Sequence, residues 1–383
     1  MLGALLVVGA ASLAWAGPVG AAPPSAVSPP ATLASDCSQD VSQAMQHWLN
    51  TLPPQTTVSV PATSCYRVSE GLQLNAAQGL TITGGTWSDP AVPKAGGNPD
   101  AMDPVFWLVG GSGITLENMV ITGVNAGGYT AAGAFAAGIR SDGVIGLTVS
   151  NVAISDVFGD GLELTPLRAQ GDMGGTIINP TEHASISNLE VTGAGRQGVT
   201  LASVSGATLT SIALRHIGMD AFDVEADQWD EGAQNVTIDG CTVGDQLGGL
   251  FFANGGASAG GAWTSNITVE GCTMKAPEAG DVILVLDPSA QDAPRGPLTF
   301  VNDTLLCGTS VYVACVQVKN GSVSIDSSTL QMPARTVHEA IYHATVDSTL
   351  AFDQDNVSQY GSVGTVDATS SASIVGGTWT PFG

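Results

Sequence analysis

The chain has 383 residues, with 34 acids against 10 Lys and Arg, a formal net charge of -24 and 49 glycines. A surface that negative repels nucleic acid and anionic membranes, so neither is expected as a partner. Only 11% of residues are charged, while Gly, Ser, Thr and Val recur throughout. This is the composition of a β-rich chain with frequent turns, not of a coiled coil or a disordered tail.

Residues 1–22 carry an apolar run ending in small residues, "MLGALLVVGAASLAWAGPVGAA", which reads as a secretory signal peptide. A Pro/Ser/Ala-rich spacer follows over 23–35. No later stretch reaches the roughly 18 apolar residues that span a bilayer, so the expectation is an exported chain without membrane insertion. Six cysteines suit an oxidising compartment. Six allow 15 connectivities, and pairing by proximity in sequence gives Cys37–Cys65, Cys241–Cys272 and Cys307–Cys315.

Residues 38–52, "SQDVSQAMQHWLNTL", place Val41, Met45, Trp48 and Leu52 on one helical face, and Pro53-Pro54 ends the run. Beyond it a short phrase keeps returning: "GLTITGGTW", "GITLENMVITG", "GLTVSNVAISD", "ASISNLEVTG", "NVTIDGCTVG", and finally "SASIVGGTW". Each copy alternates apolar and polar residues as a half-buried strand does, and each is followed by a small-residue or Asn/Asp turn. Self-similarity at this period signals a solenoid or a propeller, and the units are too short and uneven for four-stranded blades.

The helix, the "VSVPATSCYRV" opening and these repeats resemble the right-handed parallel β-helix proteins of the pectate-lyase-like superfamily, and the "GRQGV…AFDVEAD" pairing resembles those of secreted actinobacterial type. The resemblance implies an all-β fold: a single right-handed parallel β-helix of about 10–11 coils over 36–383, with a capping helix inside an N-terminal cap over 36–70. That superfamily includes lyases, glycoside hydrolases, epimerases, tailspikes and adhesins, so the likeness speaks for fold more than for activity. The polygalacturonase motifs Asn-Thr-Asp, Gly-His-Gly and Arg-Ile-Lys are absent, and "GDG" at 159–161 is a partial match only.

A second strand aligns across the coils: "GDGLEL", "RQGVTL", "MDAFDV" and "GGLFFA". Leu162, Val199, Phe222 and Leu250 are expected inward, and Glu163, Thr200, Asp223 and Phe251 outward. Asp160, Gln197 and Asp220 stack one frame earlier, Glu225 shares the face of Asp223, Arg196 sits near the middle and His216 at the rim. Glycoside hydrolysis needs two carboxyl groups, separated by ~6.5–9.5 Å in inverting enzymes. Asp223 and Glu163 are therefore read as the acid/base pair, with Asp220, Asp160 and Glu225 tuning it. Arg196, Gln197, His216, Phe251 and Trp229 are read as substrate-binding, the aromatics by stacking on sugar rings. The loop acids Asp227, Asp230 and Glu231 are read as solvated, with a Ca²⁺ site as the lesser reading; no other cofactor and no metal is expected.

The expected function is that of a secreted carbohydrate-active enzyme hydrolysing a cell-wall or extracellular polysaccharide. Two rivals stand beside it. One is a polysaccharide lyase or epimerase on a uronate polymer, with Arg196 or His216 taking the α-proton. The other is a non-catalytic surface or glycan-binding β-helix, in which the acids form a structural ladder around Arg196. The oligomeric state stays open between monomer and trimer.

Overall fold

Successive copies of the recurrent phrase lie side by side in register: Thr81, Thr115, Thr148, Ser185, Thr208, Thr237, Thr268, Thr299 and Ser324 are direct neighbours, rung upon rung. The structure, a computed structural model, describes residues 26–93, 103–125, 128–169, 175–226, 231–244, 251–254, 264–276, 283–286, 295–307, 314–331, 340–345, 348–360 and 362–381. The expected signal peptide at 1–22 lies outside them. Between Ser324 and Ser373 the chain makes one more coil, Thr349–Asp353, with Ala351 at the shared position. The sequence reading passes over this coil because alanine replaces the Thr or Ser that marks the others.

Each phrase is two facets rather than one strand. Thr115–Thr122, Thr148–Ser155 and Ser185–Thr192 bend at Asn118, Asn151 and Asn188, whose φ angles are 56°, 53° and 51°. Asn tolerates this left-handed conformation better than other non-glycine residues. The bend adds a residue to the alternation, so Leu116, Met119 and Ile121 all face the core. The corner amides also bond along the stack: Asn151 donates to Asn118 at 3.1 Å, and Asn188 to Asn151 at 3.0 Å. Inside, one column runs Ile82, Leu116, Val149, Ile186, Leu209, Ile238, Val269, Phe300, Ile325 and Phe352, every member at most 1% exposed.

Opposite this large sheet stands an all-parallel sheet of 11 short strands among the described residues, from Leu72–Asn75 through Phe106–Val109, Ile139–Asp142, Leu162–Thr165, Val199–Leu201 and Phe222–Glu225 to Ser362–Val366. Three disulfides join Cys37 to Cys65, Cys241 to Cys272 and Cys307 to Cys315, as proximity in sequence suggested. Among the described residues no helix is long and apolar enough to cross a membrane. The stretch read as a spacer is not free along its whole length: Ala26 and Val27 pair in parallel with Thr57 and Val58.

The N-terminal helix is shorter than its periodicity predicts, Ser42–Leu49, because residues 36–40 form a strand instead. Met45 and Leu49 enter the core. Gln46 meets the edge strand of the short sheet. Its amide donates to the Gln73 carbonyl, and its oxygen accepts from the Gln73 N–H, both at 2.7 Å. One side chain thus makes the two bonds that a further strand would make at that residue, and an exposed edge is a template for aggregation.

A second stack occupies a turn. The Cys272 N–H donates to Asp303 Oδ1 at 2.7 Å, the Asp303 N–H to Ser328 Oγ at 3.0 Å, and the Ser328 N–H to Asp355 Oδ1 at 2.8 Å. The second oxygens of Asp303 and Asp355 are buried without a hydrogen-bond partner. Burial pushes both carboxyls up to about 7, against the donors that hold their first oxygens.

Two outcomes follow from these contacts. Gln46→Ala leaves two edge groups unpaired and should lower the unfolding free energy by about 1–3 kcal/mol. An unchanged midpoint in a guanidinium titration would show that the edge is closed by other means. The folded state also retains protons on Asp303 and Asp355 that the unfolded chain releases near pH 3.8, so their stabilising contribution is complete below that value and is lost as pH rises through about 7. The melting temperature should fall over that window, and the Asp303→Asn, Asp355→Asn double variant should flatten the fall in a calorimetric pH series.

Candidate active site

The outward positions of the short sheet form a column. Gln73, Trp107, Arg140, Glu163, Thr200, Asp223 and Phe252 are register partners in that order. Glu163 and Asp223 therefore stand two rungs apart, about 9.6 Å at ~4.8 Å per rung, on the face away from core residues Leu162, Leu164, Phe222 and Val224. The expected frame slips at its last member. Phe251 pairs with core residue Phe222, so Phe252 and not Phe251 continues the outward column. Only the backbone of Phe251 is described, and Trp229 lies outside the described residues. One residue of slip exchanges the two faces of a strand, and the glycine pair at 248–249 gave the sequence alignment nothing to fix the frame.

The preceding frame stacks as expected. Gly138 N–H donates to the Asp160 carbonyl, Gly161 N–H to Gln197, and Gly198 N–H to Asp220. Gly161 is required for space: a Cβ there would lie 2.6 Å from the Gly198 oxygen and 2.5 Å from Val191. This close packing brings the acids of successive coils together. Asp160 accepts from Arg196 Nη1 at 3.1 Å, the Gln197 N–H at 3.0 Å and Thr200 Oγ1 at 2.7 Å. Arg196 also pairs with Glu225. Gln197 donates from its amide to Asp223 Oδ2 at 2.7 Å and accepts from the Asp220 N–H at 2.6 Å. Asp160, Glu163, Asp220, Asp223, Glu225, Arg196 and Gln197 are thus brought into one cluster. His216 stands apart as an exposed corner residue with φ 52°.

The column is drier than a groove predicts. Glu163 is 6% exposed, Asp223 2% and Asp160 1%. Burial pushes Glu163 up to about 8, with Asp160 adding to the rise and Arg140, whose Nε lies 3.8 Å away, opposing it. Burial lifts Asp223 well above the usual carboxylate range, and Glu225 and Asp220 lift it further. Burial works against the charge of Arg196, but Asp160 and Glu225 overcome it and hold the guanidinium protonated above its ordinary value. Asp223 Oδ1 is buried with no hydrogen-bond partner. A carboxyl kept neutral by a dry site, with one oxygen uncommitted, is suited to donating a proton.

Sequence reasoning missed the rung before Glu163. Arg140 pairs with Asp142 at 2.8 Å, and its guanidinium lies 5.6 Å from the Trp107 ring. Asp142 also accepts from the Trp107 indole N–H at 2.7 Å and from Thr165 Oγ1 at 2.5 Å. Extending the "GDGLEL" alignment one coil back, to "AAGIRSD", would have found these residues. Glu231, read as a solvated loop acid, is instead buried and paired with Arg168. Asp227 and Asp230 lie outside the described residues, and among those described no group of three or more His, Cys, Asp or Glu is placed to hold a metal ion.

The chain matches no protein-family model and no curated protein. Solved structures do resemble it. The catalytic unit of a thermostable GH87 α-1,3-glucanase from Streptomyces thermodiastaticus is 14% identical with a TM-score of 0.56, the match covering 92% of this chain and 69% of the other. The A-module of the Azotobacter vinelandii mannuronan C-5 epimerase AlgE6 is 11% identical at 0.55, covering 90% and 96%. The tailspike of the E. coli bacteriophage HK620, in complex with a pentasaccharide, is 12% identical at 0.57, covering 92% and 64%. At such identities the likeness carries the fold, and with the stacked registers it makes this chain a right-handed parallel β-helix protein.

Proposed function

We propose that the protein is a secreted carbohydrate-active enzyme that hydrolyses a cell-wall or extracellular polysaccharide, with Asp223 as general acid and Glu163 as general base. The carrying observation is the Glu163/Asp223 pair: two carboxyls in one outward column, about 9.6 Å apart by rung spacing, near the upper end of the inverting range. Asp223, raised well above the usual carboxylate range, keeps its proton and has an uncommitted oxygen to deliver it to the leaving glycosidic oxygen. Glu163, with Arg140 beside it, is the carboxyl that ionises and takes the proton of the attacking water. The solved structures resembling this chain include a glucanase, an epimerase acting on mannuronan and a sugar-bound tailspike, which agrees with a glycan partner. Three disulfides agree with export.

A second reading, a non-catalytic glycan-binding β-helix, is favoured by the dryness of the pair and by the commitment of Arg196 to two carboxylates. The lyase or epimerase reading has less support. Its proposed base Arg196 is held protonated, and its other candidate, His216, points from an exposed corner.

Turnover needs Glu163 ionised and Asp223 protonated. The kcat/KM of the free enzyme should therefore rise as pH increases through about 8. Glu163→Gln and Asp223→Asn should each lower kcat by about 10²–10⁴-fold, measured by reducing-end release from a polysaccharide panel. Sugar release at the parental rate in both variants would remove the assignment, and binding without turnover in the parent would establish the second reading. Stability separates the cluster members independently. Arg196→Met removes the guanidinium that Asp160 and Glu225 share and should cost about 3–5 kcal/mol at neutral pH. Glu163→Gln removes a carboxyl that the fold keeps protonated up to about 8 while the unfolded chain releases the proton near 4.5, so its stabilising effect should grow as pH rises from 4.5 and be complete above about 8.

A further inference from the structure

The outward column does not stop at Arg140. One rung further toward the N-terminus, Trp107 forms a wall of a cavity of about 430 Å³ between the helix Ser42–Leu49 and the first rungs of the short sheet. Gln73 and Asn75 line it from the sheet, and Gln43, His47 and Asn50 from the helix side. A cavity of this size suits a small-molecule-sized group. Side-chain amides are prominent among its polar groups, and amides match sugar hydroxyls because they offer both kinds of bond without a charge.

Trp107 links the cavity to the acids. Its indole N–H is fixed by Asp142, which pairs with Arg140, the cation 3.8 Å from Glu163. Arg140 lies toward one side of the ring, and Gln73, the partner on the other rung, lies toward the cavity. By rung spacing Trp107 is about 9.6 Å from Glu163 and about 19 Å from Asp223 along the column. The charge of the lining is selective as well. Among the described residues the lining holds no Lys or Arg, while Glu70 and Asp103 both contribute to it. An anionic sugar entering here meets the two carboxylates, which disfavour it.

We infer that this cavity is a distal subsite of the Glu163/Asp223 site that binds an uncharged glycosyl unit against Trp107, several sugars from the cleavage point. The inference rests on the hydrolase reading for the connection between the two ends, and on the cavity alone for the neutral sugar. It makes the enzyme's substrate a neutral, extended glycan rather than a uronate polymer. It also assigns the helix two tasks, since Gln46 closes the sheet edge while its neighbours face the cavity.

The test uses the mature protein carrying Glu163→Gln, with calorimetric titration of maltohexaose, laminarihexaose, cellohexaose, nigerohexaose and hexagalacturonate. Trp107→Phe and Trp107→Leu are compared on that background. Both lose the indole N–H, so the difference between them isolates the ring face. An Asn50→Ala, Asn75→Ala double variant probes the amides without touching the acid cluster. At least one neutral hexaose should bind, Trp107→Leu should weaken it about tenfold more than Trp107→Phe, and hexagalacturonate should not bind. In the enzyme with Glu163 intact, the double variant should lower kcat/KM for the hexaose while leaving a disaccharide of the same linkage unchanged. Absence of binding by every neutral hexaose, binding indifferent to all the cavity variants, or preference for hexagalacturonate overturns the subsite. Loss of turnover in Glu163→Gln with unaltered behaviour of the cavity variants removes the subsite and leaves the hydrolase. Weakened binding in the cavity variants with no turnover in the parent keeps the subsite and removes the hydrolase.

Discussion

The structure depends on one constraint: the backbone groups of each coil find their partners in the coils above and below. A single strand of this chain buries little and bonds nothing on its own. Register must therefore be kept from rung to rung, and the corner residues keep it. Asn118, Asn151 and Asn188 adopt the left-handed conformation at equivalent points and tie their side chains together along the stack. Any residue placed on an outward position inherits a fixed distance to its counterpart two coils away. That inheritance brings Glu163 and Asp223 into one column although they lie 60 positions apart in sequence.

The acid cluster shows what happens when such a column is also dry. Five carboxyls, those of Asp142, Asp160, Glu163, Asp223 and Glu225, share two guanidiniums, Arg140 and Arg196, and Asp220 adds a sixth carboxyl beside Asp223. Full ionisation would leave excess negative charge where water cannot screen it, so Glu163 and Asp223 hold protons. The same physics acts on Asp303 and Asp355, where hydrogen bonds from the next coil hold one oxygen and burial governs the other. In those turns the acids serve the stack. In the outward column Glu163 and Asp223 stand instead among further carboxyls and the guanidiniums of Arg140 and Arg196, and that convergence of charge separates a candidate site from a ladder.

Much of this was legible in the sequence because a solenoid writes its fold as a period. The Thr or Ser at the start of each phrase marks a real column, and the short strands carrying Glu163, Thr200 and Asp223 align by their own apolar positions. Three things were not legible. The frame at Phe251 slipped because glycines carry no inward or outward preference. The coil at Thr349–Asp353 lacked the marker residue. The dryness of the site depends on tertiary packing, which no local pattern reports. Arg140 was legible and passed over: its strand follows the same template, but a cation in place of an acid broke the visual run.

In a rod held together by neighbour contacts, unravelling starts at the free ends and travels inward coil by coil. The bond between Cys37 and Cys65 lies before the first acid-bearing rung, and the one between Cys241 and Cys272 follows the last. Fraying from either terminus thus meets a covalent stop before it reaches Asp160 or Glu225. A reductant should therefore let the acid cluster come apart at temperatures where most of the coils are still wound.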